Sequence, residues 1–291
     1  MVIIRIVIMV WRDDYMDNII DFDLPEKFPY ELNDLGYEFE KRLYSSINMR
    51  EIEEWWQVEH KLRNMYIDDM PLVTDYIKHN SDKEIACYHC TRILDIRKYW
   101  DEGIITGGGK GSTAEKRLRE LFSSIGLNNN EIDDIFSHIY YYWNRDGGSR
   151  TNAVHFFLDK KHIYNDDKAN IFAINLGGEI VRWSLESIDR ELFKREPYKR
   201  LWILGTPSII KFKCKLCNIP ETSQRDIIAE IIKYNIVSKI YNFPNKYVSE
   251  VTAMTIGNVP PQDIISIEEI TNYISIQEKY FDFEGFYTEL K

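Results

Sequence analysis

The chain has 291 residues, enough for one large domain or for one domain with an appended segment. Its composition, 44% hydrophobic and 29% charged, can bury a core and excludes an intrinsically disordered protein. The net charge of −10 argues against a protein that coats nucleic acid non-specifically, while leaving room for a local basic groove built from Arg92, Lys110, Lys116, Arg117, Arg119, Arg145 and Arg150.

Met1 to Val10 is mostly apolar but far short of the roughly 20 residues that cross a bilayer. Trp11-Arg12-Asp13-Asp14 comes next in place of a small-residue cleavage site. The stretch therefore reads as a strand, or as extra residues from a misplaced start. The rest of the chain has no other long apolar run, so the expectation is a soluble, cytoplasmic protein without membrane contact. Residues 1–80 read as a mostly helical N-terminal region. Within it, Tyr37 to Asn64 carries Phe39, Leu43, Ile47, Trp55 and Leu62 at helical spacing. The polar break Asn80-Ser81-Asp82 marks a boundary, with 81–291 as the second domain.

Ile85 to Ile93 alternates as a strand, putting His89 and Thr91 on one face and Tyr88, Cys90 and Arg92 on the other. A His and a Thr side by side on a strand suit a flat polar ligand. The next residues read as a short helix stopped by Gly103. Gly107 to Thr113 is glycine-rich but lacks the spacing of a P-loop, because Gly111 comes directly after Lys110. It reads as a flexible loop leading into a helix, of a composition that can close over phosphate. Helices are expected at Thr113–Ile125 and Asn130–Tyr142, the second capped by Asn130 with Asp133 three residues on. A turn at 144–149 leads to a strand at Val154–Leu158, and Arg150 just before it is placed either to meet a phosphate or to sit in solvent.

Leu176-Gly177-Gly178-Glu179-Ile180-Val181 reads as a turn followed by a strand, with Glu179 either close to a ligand or holding the turn. A further strand lies within 197–217, where Ile210, Phe212, Cys214 and Leu216 alternate with Lys211, Lys213 and Lys215. A helix at Thr222–Tyr234 and strands at Tyr247–Thr255 and Ile264–Ile267 complete the chain. Helices and strands intermingle without strict βα alternation and without Gly-x-Gly-x-x-Gly, which points to α+β rather than to a dinucleotide-binding α/β domain. The cysteines form two Cys-x-x-Cys pairs, Cys87/Cys90 and Cys214/Cys217, a spacing that zinc sites use. Both pairs lie in alternating runs without turn residues, so buried free thiols are the expectation.

Tyr88-His89-Cys90-Thr91, an apolar residue and a short helix ending in Gly103 resemble the first strand of the ADP-ribosyltransferase fold. The likeness is to the nucleic-acid-modifying toxins of the DarT group and to the wider PARP-like clade that bears this His. Val248-Ser249-Glu250-Val251-Thr252 resembles the late strand that carries the catalytic Glu of that fold. Val259-Pro260-Pro261 with Ile264 to Ile267 resembles the loop and strand after it. His-Cys-Thr-Arg early and Gly-Gly-Glu centrally are also similar to a set of bacterial proteins read as members of this superfamily. The resemblance spans roughly residues 84–270. It implies a split β-sheet core with helical insertions, NAD as a substrate, and transfer of ADP-ribose to nucleic acid or, next, to protein. It makes Glu250 the catalytic carboxylate, stabilising an oxocarbenium-like transition state, and gives NAD binding to His89, Thr91, Arg92 and Arg150. Arg92, on the other strand face, has fold anchoring as its second reading. By analogy the role is that of a toxin or anti-phage effector, with a neutralising antitoxin or a regulatory partner. The alternative is a non-catalytic nucleic-acid- or protein-binding module stapled by zinc through Cys87, Cys90, Cys214 and Cys217.

Overall fold

The computed structural model describes residues 19–25, 28, 41, 70–145, 151–165, 173, 176–189, 192, 195–240, 249 and 251–270. The two longest strands, β2 (Glu84–Ile93) and β4 (Thr206–Lys215), form the middle of the sheet. They pair antiparallel over their whole length, from Glu84 opposite Lys215 to Ile93 opposite Thr206. β3 (Ala153–Phe157) lies on the other side of β2, β5 (Thr252–Ile256) lies outside β3, and β6 (Ile264–Glu269) lies outside β4. These five strands are antiparallel to their neighbours, and a two-residue strand β1 (Ile19–Ile20) runs parallel to β2.

Strand alternation sorts the side chains as the sequence predicts. Ile85 and Cys87 of β2, Ile210, Phe212 and Cys214 of β4, and Val154 and Phe156 of β3 share one face and form the main core. A long helix, α8 (Glu221–Ile240), covers this face with Ile227, Ile228, Ile231 and Ile232. Fully burying each such side chain contributes about 1.5–3 kcal/mol. The other face carries a smaller cluster around Tyr88, Cys90, Phe157 and Ile209. The lysines of β4 are paired there rather than simply solvated. Lys211 donates to Asp21, which also accepts from the Tyr88 hydroxyl at 2.7 Å, and Lys213 donates to Glu84 at 2.9 Å.

The remaining helices are α1 (Met70–His79), α2 (Ile96–Glu102), α3 (Thr113–Ser124), α4 (Asn129–Asn144), α5 (Lys160–Asn165), α6 (Gly178–Ile188) and α7 (Arg200–Ile203). α3, α4, α6 and α7 pack into a second core that includes Phe122, Phe136, Trp143, Val181, Leu185 and Leu201. An antiparallel sheet with helices scattered between its strands agrees with the α+β class. Among the described residues no helix is long and apolar enough to cross a membrane.

Two local expectations are corrected. The stretch after Gly177-Gly178 is helix α6, not a strand. Val181, Ser184 and Leu185 recur at helical spacing and are fully buried against the second core, and that packing overrides the β-branched pair Ile180-Val181. The cap of α4 is Asn128, whose side chain accepts the Glu131 N–H while Glu131 accepts the Asn128 N–H, a complete capping box. Most of the region 1–80 lies outside the described residues, including Tyr37 to Asn64 apart from Lys41. Its described part contributes Ile20, Phe22, Phe28, Val73 and Ile77 to the main core.

Candidate functional site

The C-terminal half of β2 and the start of β3 face a cleft of about 610 Å3, within the roughly 300–1,000 Å3 range of small-molecule sites. α2 and α3 form one side of it, and the Leu176–Ile180 turn into α6 forms another. The cleft brings together His89, Thr91, Arg92 and Glu179 with Lys98, Tyr99, Arg117 and Glu120.

His89 is half-buried, and its Nδ1 lies 2.9 Å from the carbonyl oxygen of His155 on β3. A carbonyl only accepts, so Nδ1 carries the proton and, in the neutral ring, Nε2 is an acceptor. Burial lowers the His89 pKa below its ordinary 6.5, and the bond to His155 only partly opposes this. The site therefore holds an imidazole that is neutral at pH 7, with one nitrogen left to accept from a ligand hydroxyl. Thr91, two residues on and on the same face, lines the cleft with Tyr99 of α2. Burial raises the Tyr99 pKa, and the polar Thr91 side chain works against it.

Arg92 points to the other face of β2, as the alternation requires. Its guanidinium donates from Nε to the carbonyl of Leu204 and from Nη2 to that of Gly205, both at 2.9 Å. It is 7% exposed and fastens the end of β2 to the turn that enters β4. This geometry matches the anchoring reading, although Arg92 still borders the cleft.

The floor of the cleft is closed by a contact between distant segments. Asp95 caps α2, and Gly103 ends it with φ of +79°. A Cβ at Gly103 would stand 2.0 Å from the carbonyl oxygen of Val259, so only glycine permits the approach. Ile104 and Val259 then exchange backbone hydrogen bonds of 2.9 and 3.0 Å, and the Thr106 N–H donates to the Asn258 side chain at 2.9 Å.

The glycine-rich loop, expected to be flexible, is held at several points. Gly108 N–H donates to the Thr151 carbonyl, and Ser112 caps α3 by accepting the Glu115 N–H. The Glu115 carboxylate accepts from the Gly111 N–H, from Tyr140 and from Arg119. Burial alone would raise its pKa, but these hydrogen bonds outweigh burial and hold it at about 2. Arg119 also donates to Asp133, and Arg117 pairs with Glu102. Of the seven basic residues that leave room for a local groove, Arg92 is turned inward and Arg117 and Arg119 are paired with carboxylates.

The proposed catalytic residue Glu250 and the binding candidate Arg150 lie outside the described residues. The two neighbours of Glu250 are described. Ser249 is fully buried, its N–H donates to the Asp159 carboxylate at 3.2 Å, and its hydroxyl accepts the Val251 N–H at 3.3 Å. The Leu158 N–H donates to the Val251 carbonyl, also at 3.3 Å. These flanks stand at the Leu158–Asp159 end of β3, whereas the cleft takes Ala153, Val154 and His155 from its beginning. No family model, curated protein or solved structure matches the chain.

The thiols do not converge. Cys87 and Cys214 meet in the main core, with Sγ atoms 3.5 Å apart, while Cys90 lies on the other face of the sheet and Cys217 is exposed. Burial, first, and the neighbouring Cys214 raise the Cys87 pKa, and burial pushes Cys90 up to about 12. Both are inert as nucleophiles near neutral pH. Among the described residues no group of three or more His, Cys, Asp or Glu side chains is arranged to hold a metal ion.

Sequence reading missed Tyr99, whose position on the inner side of α2 emerges only once α2 is seen to pack beside β2. It also missed Glu115, whose position three residues after the cap residue Ser112 was a visible signal.

Proposed function

We propose that the cleft binds NAD⁺ and that the protein is an ADP-ribosyltransferase built on that superfamily's split-sheet core, cleaving the nicotinamide–ribose bond. The observation that carries this reading is the neutral His89 beside Thr91, its Nδ1 committed to His155 and its Nε2 left to accept from a ribose hydroxyl. In the proposed reaction the bond from ribose C1′ to the nicotinamide nitrogen breaks, and nicotinamide leaves with the electron pair as a neutral molecule. The positive charge that develops on the ribose is stabilised by a carboxylate, the role given to Glu250. An acceptor oxygen or nitrogen bonds to C1′ and gives its proton to that carboxylate. Nucleic acid is the favoured acceptor and protein the next. The activity suits a toxin or anti-phage effector acting in the cytoplasm and held in check by an antitoxin or a regulatory partner.

The test is to incubate the protein with NAD⁺ labelled in the adenylate, together with single-stranded DNA, RNA or cell lysate. Release of nicotinamide and label in one macromolecular fraction are expected. Absence of both NAD⁺ binding and nicotinamide release in every mixture removes the reading.

A further inference from the structure

α3 turns one stripe toward the cleft. Ala114, Arg117, Leu118 and Leu121 border it at the i, i+3, i+4, i+7 spacing of a single helix face, with the exposed Glu120 at the stripe's edge. Arg117 is the charged member of an otherwise apolar stripe. Its partner stands outside the cleft. Arg117 Nη2 donates to Glu102, which ends α2 and does not border the cleft. Glu102 does nothing for its own helix there, because a carboxylate at a helix C-terminus opposes the dipole. The two side chains are 35% and 43% exposed, a setting in which an ion pair is weakly held. A guanidinium has five N–H donors, and among the described residues this is the only hydrogen bond of Arg117.

Arg117 also acts on the inside of the cleft. Burial raises the Tyr99 pKa, and the Thr91 side chain and the Arg117 charge both oppose it, so the guanidinium is within electrostatic reach of Tyr99. The other cations of the cleft differ. Arg92 is committed to the carbonyls of Leu204 and Gly205, and Lys98 is an exposed side chain.

We infer that Arg117 is the residue of the cleft that recognises phosphate and that Glu102 is its resident anion, which a ligand's pyrophosphate displaces. The inference rests on the transferase reading only for the identity of the ligand, NAD⁺. A phosphate group takes two parallel N–H bonds from a guanidinium, which a half-exposed carboxylate pair does not outweigh. Glu102 therefore competes with the ligand, and the two residues have opposite effects on affinity.

The experiment is a double-mutant cycle on the full chain, with titration calorimetry of NAD⁺ and of inorganic pyrophosphate for the parent, Arg117→Gln, Glu102→Gln and the combination. Arg117→Gln should weaken NAD⁺ binding by about tenfold or more, the scale of a lost charge-assisted hydrogen bond. Glu102→Gln should strengthen it by about two- to fivefold, the worth of an exposed ion pair. In the Arg117→Gln background that gain should vanish. Pyrophosphate should follow the same order. If Arg117→Gln does not fold, Glu102→Gln is read alone, and an affinity that does not rise overturns the inference. A loss of affinity in Glu102→Gln shows that the pair only holds α2 to α3, and a gain that persists without Arg117 shows that Glu102 merely repels the ligand; either overturns the inference. A parent that binds NAD⁺ and is indifferent to Arg117→Gln removes the inference and leaves the transferase reading. A parent that binds pyrophosphate through Arg117 but does not bind NAD⁺ removes the transferase reading and leaves the inference. A parent that binds neither probe removes both.

Discussion

The Nδ1 atom of His89 lies 2.9 Å from the carbonyl oxygen of His155, a contact between neighbouring strands that fixes both the ring's orientation and its tautomer. Nε2 is then the acceptor, and protonation would turn it into a donor. Because burial lowers the pKa, this conversion requires a pH below 6.5. NAD⁺ affinity should be flat from pH 8 to about 6.5 and weaken below it, as followed by titration calorimetry. His89→Ala should weaken binding at pH 7.5 by about tenfold, the loss of about 1.4 kcal/mol. Binding that strengthens as the pH falls would show that the neutral ring is not the binding form.

Glu250→Gln keeps the size of the side chain and removes the charge. Turnover should fall by about 10²-fold or more, the scale of losing an electrostatic stabiliser, while NAD⁺ affinity changes little. Melting temperature, NAD⁺ binding and label transfer are measured on one preparation. A folded variant that binds NAD⁺ and transfers label at the parental rate moves the role to Glu179, one of the carboxylates that line the cleft.

The bonds of Arg92 to Leu204 and Gly205 predict a folding defect for Arg92→Ala. Two carbonyls near the sheet lose charge-assisted partners, which should cost about 3 kcal/mol in urea denaturation. Affinity for NAD⁺ measured at low temperature, on the folded fraction, should fall much less than for His89→Ala. The reverse ranking would make Arg92 a ligand-binding residue.

Glu115, held at about 2 against an ordinary 4.5, makes stability depend on acid. A carboxylate with a depressed folded pKa contributes stability that is fully present above its unfolded pKa and is lost as pH falls through the folded one. The difference in urea midpoint between the parent and Glu115→Gln should therefore be constant above about pH 5 and shrink between pH 4.5 and 2. A difference that grows on acidification would contradict the hydrogen-bonding scheme around Gly111, Arg119 and Tyr140.

Gly103→Ala combines a left-handed backbone with a Cβ against the Val259 carbonyl. It should destabilise the fold by more than about 2 kcal/mol and lower NAD⁺ affinity as well, because α2 and the Ile104–Val259 bridge move together. A stable variant with unchanged affinity would show that the floor of the cleft is not held by this approach.

The parts of the site legible in the sequence are those set by local rules. Strand alternation put His89 and Thr91 together and turned Arg92 away, and the helix-ending glycine at 103 marked the end of α2. α6 reads locally as a strand because Ile180 and Val181 are β-branched and come after two glycines, while the helical stripe of Val181, Ser184 and Leu185 acquires its meaning only against α4. Within Asn128-Asn129-Asn130 each residue is a good cap by type, and Glu131 at the third helical position is what singles out Asn128 rather than Asn130. The closure of the cleft depends on Thr106 meeting Asn258, 152 positions away, and no local pattern announces such a contact.

The cleft lies along the seam between the two hydrophobic cores. Ile104 and Val154 reach it from the sheet side, and Trp143 and Leu176 reach it from the helical side. Two cores on either side of a cleft unfold as more distinct cooperative units the less spans the gap. An occupant of the cleft touches both and behaves as mortar between them. Ligand then does more than raise the melting point by mass action. It couples the melting of the helical layer to that of the sheet, so the sharpness of thermal unfolding, and not only its midpoint, becomes a measure of occupancy.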